Sequence, residues 1–214
     1  MKLAPSIGAS FAMVACACGC AAEPVGEWAF DVLLDGRRIG EHRFSVTTDG
    51  ERTLVRSRAG FEVKLLGFTA YRYRHEADEV WRHGCLESVR AQTNDDGEAS
   101  RVDAEPATGG GLRVSATKGV ATYPGCVKGF GYWNPAILDQ RRLLNVQTGE
   151  YVAVSVTPLP DQPVLAGGQM VPARRWRLSG AESPLELWYA SADERWLALE
   201  STVSGGRKLT YRLR

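Results

Sequence analysis

The chain has 214 residues, 26 of them basic and 25 acidic, and 44% are hydrophobic. That length suits one domain able to bury a sizeable core. A net charge of +1, with Arg alternating with Glu and Asp along most segments, excludes the concentrated basic face that nucleic acid or an anionic membrane surface requires.

The first 22 residues, MKLAPSIGASFAMVACACGCAA, have the layout of a signal peptide. Lys2 supplies the positive start, the run from Leu3 to Val14 is apolar or small, and small residues follow to Ala22. The apolar run falls short of the roughly 20 residues of a membrane span, so cleavage after Ala22 and a mature chain without a span are expected. In an alternative reading Cys16, Cys18 or Cys20 carries a lipid, with Met13-Val14-Ala15-Cys16 the nearest approach to a lipoprotein box. Either way the location is periplasmic or secreted. Loss of Lys2 brings the basic residues level with the acidic ones. Only Cys85 and Cys126 then remain, and an oxidising compartment normally closes such a pair. Two separate buried thiols are the alternative.

From residue 23 to residue 214 one β domain is expected. Trp28, Phe30, Val32 and Leu34 alternate with smaller or polar residues, and Asp35-Gly36 then offers a tight hairpin turn. His42, Phe44 and Val46 share a face of the next strand, which ends at Asp49-Gly50. Val55, Ala59, Phe61, Val63 and Leu65 share a face opposite Arg56, Arg58, Glu62 and Lys64, the pattern of a strand with one buried and one wet side. After an interruption at Gly67, Tyr71, Tyr73, His75 and Ala77 continue the same pattern. Turns at His83-Gly84 and Asn94-Asp95-Asp96-Gly97 lead through further strands to about Tyr123.

The middle of the chain differs. Asn134-Pro135 is a good helix start, Asn capping exposed N–H groups and Pro losing nothing at the first position. With Ile137, Leu138, Leu143 and Leu144 as an apolar stripe, one helix of two to three turns is expected. A strand from Tyr151, a Pro- and Gly-rich loop over 158–172 and four final strands complete the pattern. The fold class is therefore mainly β: an antiparallel meander curled into a barrel or half-barrel with one short helix, or alternatively a two-sheet sandwich. A meander of this size must curl, because a flat sheet would leave an apolar face and two edges exposed.

Catalytic signatures are scarce. The sequence has no G-x-S-x-G elbow, no phosphate-binding loop and no C-x-x-C in the mature region. His75, Glu79 and His83 would share a strand face, but a hydrogen-bonded His75 beside a solvated charge run is favoured over a metal site, so no metal or cofactor is expected. His42, beside Phe44 and Val46, reads as a core or lumen histidine. The most distinctive run is Phe130-Gly131-Tyr132-Trp133-Asn134-Pro135. Its aromatics can stack on a ligand at the helix mouth, which makes Tyr132, Trp133 and Asn134 the candidate ligand-binding residues, while the plainer reading has Trp133 plugging the barrel and Asn134 capping the helix.

LLDGRRIGEHRF, FEVKLLGFTAYRYRH, the Gly-Cys pairs at 84–85 and 125–126, FGYWNP and LLNVQTGEY together resemble a bacterial domain-of-unknown-function family of exported proteins. The resemblance implies a recurring Cys85, Cys126 pair and emphasis on Tyr132, Trp133, Asn134, Pro135, Gln147, Thr148, Gly149 and Glu150. The layout is also similar to the curved half-barrels of periplasmic lipoprotein carriers, an architectural analogy. Three functions remain open. A binding or envelope-maintenance module would enclose an apolar cavity under Trp28, Phe30, Phe44, Phe61, Tyr71 and Tyr73 and take an apolar or lipid-like molecule. An enzyme would use polar groups near Asn134 and Glu150, and a structural protein would fill its own core.

Overall fold

A computed structural model describes residues 23–65, 68–180 and 183–214. The expected leader, with its three cysteines, and Gly67 lie outside the described residues. The strands are β1 (Glu23–Leu34), β2 (Arg37–Asp49), β3 (Arg52–Leu65), β4 (Phe68–Arg82), β5 (Cys85–Asp95), β6 (Glu98–Pro106), β7 (Leu112–Ala116) and β8 (Gly119–Tyr123). The second half adds β9 (Arg142–Leu144), β10 (Tyr151–Ala153), β11 (Ser155–Leu159), β12 (Val164–Ala166) and β13 (Gln169–Val171). It ends with β14 (Ala173–Ser179), β15 (Leu185–Ala190), β16 (Trp196–Val203) and β17 (Arg207–Leu213).

Thirteen strands form a single antiparallel sheet in the order β11-β14-β15-β16-β17-β1-β2-β3-β4-β5-β6-β7-β8. Two meanders, one from each end of the chain, are joined where β17 pairs with β1. Asp35 and Gly36, both at positive φ, make the tight turn whose twist suits a two-residue hairpin. Asp35 also accepts from the Lys208 backbone N–H and pairs with Arg207, so the same turn pins β17.

The alternation in β1–β5 decides which side is buried. Trp28, Phe30, Val32, Phe44, Val46, Val55, Ala77 and Trp81 all lie on the concave side and belong to one core. Apart from the small β9–β10 and β12–β13 pairs, the strands share this one sheet and not the two layers of a sandwich, and it does not close on itself, which makes it a half-barrel. Its open edges are β8 and β11, and the chain between them, residues 124–154, spans that opening. A smaller core on the opposite face places Ala166 of the β12–β13 hairpin with Ala173, Trp188, Ala190, Leu197 and Ala198.

Two expectations need correction. The stretch 158–172, read as a loop, carries the end of β11 and the paired strands β12 and β13. The helix after Asn134 is a single 3-10 turn, Pro135–Asp139, rather than two to three α-turns. Asn134 and Pro135 do start it, with Asn134 Oδ1 accepting from the Ala136 N–H at 3.0 Å. Gln140 is already extended, and Leu143 and Leu144 are drawn into β9, which pairs with β10. Tertiary pairing thus takes residues that local periodicity assigned to a helix.

Candidate functional site

Residues 124–154 line the concave side as an inserted segment. It is tied to the sheet at one end by the Cys85–Cys126 disulfide, with a Cα–Cα distance of 5.1 Å, and by the Leu86 N–H donating to the Val127 carbonyl at 2.8 Å. Deeper in, the Tyr189 hydroxyl donates to the Tyr132 carbonyl at 2.9 Å. The Tyr132 ring lies 5.3 Å from that of Trp196, and Trp133 meets Trp81 edge to face at 5.7 Å. At the far end Gln147 accepts from the Tyr73 hydroxyl at 2.7 Å and, through its carbonyl, from Ser100 at 2.9 Å. Tyr123 donates to the Gly149 carbonyl at 3.1 Å. Val127, Ile137, Leu143 and Leu144 are fully buried against the sheet.

The candidate ligand residues are therefore engaged within the chain. Tyr132 and Trp133 pack on core tryptophans, and Asn134 caps the 3-10 turn. The Trp133 Nε1 is buried with no hydrogen-bond partner among the described residues. Glu150 is exposed and pairs with Lys118 at 3.2 Å, so Asn134 and Glu150 serve different local structures. The six aromatics of the expected cavity do face inward. Trp28, Phe30 and Phe44 are buried, Phe30 sits 4.3 Å from Trp196, and Phe61 stacks on Tyr73 at 5.0 Å.

A row of polar groups crosses this interior. His42 Nε2 lies 2.7 Å from Ser57 Oγ and His42 Nδ1 lies 3.3 Å from the Tyr211 hydroxyl. His75 Nδ1 lies 2.9 Å from Thr93 Oγ1. Burial, with the nearby His75, holds the His42 imidazole down at about 3. Burial, with the Arg58 charge, holds His75 at about 4. Burial favours the neutral form of both rings, and hydroxyls meet both nitrogens of His42 and the Nδ1 of His75. The Ser57–His42 pair has the spacing of a nucleophile and base, but among the described residues the further hydrogen-bond partner of His42 is the Tyr211 phenol, and Phe44 stacks on the imidazole at 4.1 Å.

Glu79 is buried on the same face and accepts from the Trp81 indole at 2.7 Å. Burial pushes its carboxyl up to about 7 despite that hydrogen bond. His83 enters the expected His83-Gly84 turn after β4, at positive φ, and so leaves the strand face that His75 and Glu79 share. Its Nε2 stands 4.0 Å from the Glu51 carboxylate. The three residues are thus not brought together, and the described residues contain no group of three or more metal-ligating side chains.

Sequence reasoning missed a groove on the outer, wet face of β2–β7, about 710 Å³ in volume. Strand register builds it. Ser45 faces Arg56, Arg56 faces Asp78, Asp78 faces Arg90, Arg90 faces Asp103, and Asp103 faces Ser115 across successive strands. The polar positions were visible, but the ladder exists only once the register is known. No described helix is long and apolar enough to cross a membrane.

A curved antiparallel meander whose mouth is filled by its own inserted segment defines a barrel-like β module. The chain belongs to the family described as "Domain of unknown function (DUF6134)", which matches residues 30–214. In fold it is similar to the beta-barrel-like protein of the domain of unknown function DUF1849 from Brucella abortus. That likeness has a TM-score of 0.61 at 13% identity and covers 91% of this chain and 98% of the other. No protein of curated function matches the sequence.

Proposed function

We propose that the protein is an exported binding module of the cell envelope that acts through its outer surface. The observation that carries this reading is the occupancy of the concave side. In a ligand-carrying half-barrel that surface holds several hundred Å³ of open space, whereas here Tyr132, Trp133, Ile137, Leu143 and Leu144 pack there. The aromatic rings that would greet an apolar ligand greet the chain itself, and interiors packed in this way leave few voids larger than water. The residues emphasised by the family resemblance serve the same end, since Gln147 and Gly149 hold the segment down. The leader pattern supports export, with the mature chain starting at Glu23 and Cys85–Cys126 closing outside the cytoplasm.

The test is a titration of the purified protein with separated envelope components, namely lipids, glycan chains and peptides, followed by native mass spectrometry and tryptophan emission. The reading expects saturable association of a polar component with little change in the emission of the buried tryptophans. A fatty acid or phospholipid that binds saturably, quenches that emission and loses affinity in Trp133→Ala would overturn it in favour of an internal apolar ligand.

A further inference from the structure

The outer groove lies on the solvent-facing side of β2–β7, across the sheet from the packed core. It crosses six strands, five spacings of about 4.8 Å, or about 24 Å in all. One side is the ladder Ser45, Arg56, Asp78, Arg90, Asp103, Ser115. The other is a lower row of Thr47, Leu54, Val80, Ser88 and Glu105. Side chains in the lower row are mostly short, which is why a trough exists there instead of the charged canopy found elsewhere on this face.

The chemistry of the lining selects a ligand class. Arg56 and Arg58 pair with Asp78, Arg101 with Asp103, and Arg113 with Glu105. The Asp103 carboxyl is held below the ordinary range by the Arg101 hydrogen bond, against burial, and by the charges of Arg101 and Arg90. Alternating signs at one-strand intervals cancel the long-range field, so neither a polyanion nor a polycation is drawn in. What remains at short range is a repeat of ionised donors and acceptors. Arg90 makes no ion pair of its own among the described residues, and the Ser45, Thr47 and Ser88 hydroxyls have no partner there. A ligand for such a surface must both donate to carboxylates and accept from guanidiniums at each step while carrying no charge. Hydroxyl groups on adjacent carbons do both, and charge-assisted hydrogen bonds of this kind are the strong ones. Leu54 and Val80 in the floor give the C–H face of a sugar ring an apolar contact, and one ring covers about one strand spacing.

We propose that this groove binds an extended, uncharged oligosaccharide laid across β2–β7. The inference rests on the reading that the protein binds through its exterior. It is tested by calorimetric titration of the purified protein with linear neutral oligosaccharides of increasing length, with an anionic polysaccharide and an extended peptide as comparators. The expected result is saturable binding that tightens with length until the groove is full. Ser88→Trp, which fills the floor, and Arg90→Ala, a truncation on the wet face, should each weaken binding about tenfold or more, a loss of about 1.4 kcal/mol. Thermal midpoints identify a variant that has merely lost its fold, and Arg90→Ala carries the test if Ser88→Trp does so. Absence of saturable binding by neutral chains, binding indifferent to both substitutions, or preference for the anionic chain or the peptide would overturn the proposal. If another polar component binds the outside, the exterior reading stands and this inference alone falls. Entry of an apolar ligand on the concave side removes the exterior reading itself.

Discussion

The Tyr73 hydroxyl on β4 donates to Gln147 Oε1 at 2.7 Å, linking residues 74 positions apart and fastening the inserted segment to the sheet. Ser100 holds the same residue by its carbonyl, so Gln147 bridges β4 and β6. Tyr73→Phe and Gln147→Leu should each lower stability by about 1 kcal/mol, the usual net worth of one hydrogen bond. The double variant should lose less than the sum, because both remove one interaction. Urea denaturation of the four proteins measures the coupling, and strict additivity would show that the bond does not form.

Gly149 is required by its place rather than by chemistry. Its φ is +79°, and an added Cβ would lie 2.6 Å from the Ala116 Cβ. Gly149→Ala should cost about 2–3 kcal/mol by combining an unfavourable backbone conformation with overpacking. A thermal midpoint unchanged from the parent would mean that the segment does not approach β7.

The Cys85–Cys126 bond closes a loop with a sequence separation of 41. Replacing both residues with serine should lower stability by about 2–4 kcal/mol. Mass spectrometry of alkylated, unreduced protein checks the bond itself, and two labelled thiols would refute it.

Stability should depend on pH through two opposed slopes. His42 and His75 have folded values of about 3 and about 4, below the ordinary 6.5. The unfolded chain therefore takes up protons that the folded one refuses, and the stabilisation present above pH 6.5 is lost as pH falls toward those values. Glu79 runs the other way. Its folded value of about 7 lies above the ordinary 4.5, so stability falls as pH rises from 4.5 to 7. Glu79→Gln should gain stability relative to the parent across that window and be level with it below. Urea midpoints measured along a pH series report the difference, and parallel curves for parent and variant would contradict the buried carboxyl.

Export predicts a mature N-terminus at Glu23. Intact-mass measurement of the protein recovered from the periplasm checks it, and an acylated Cys16, Cys18 or Cys20 would replace that start by a lipid anchor.

Much of the sheet was legible because period-two alternation and Asp-Gly turns are local. Phe30, Phe44, Phe61 and Tyr73 fell on the correct side, and the turns at Asp35-Gly36 and Asp96-Gly97 formed where expected. What failed to show was non-local. Nothing in β1 or β17 announces that they pair, and Leu143 and Leu144 look helical until Tyr151 and Val152 are placed beside them. The fate of Tyr132 and Trp133, aromatic and flanked by glycines, depends on Trp81 and Trp196 in distant strands. The outer ladder through Arg56, Asp78, Arg90 and Asp103 likewise requires four strands in register.

Residues 124–154 contribute Val127, Ile137, Leu143 and Leu144 to the core on the concave side. Native-state amide hydrogen exchange reports whether that packing holds in solution. The Leu144 N–H, which donates to the Lys128 carbonyl at 2.8 Å, and the Leu86 N–H, which donates to Val127, should exchange as slowly as the central amides of β1 and β16. Fast exchange of Leu144 and its neighbours over 127–144, while β1 and β16 stay protected, would show a segment that leaves the concave face open.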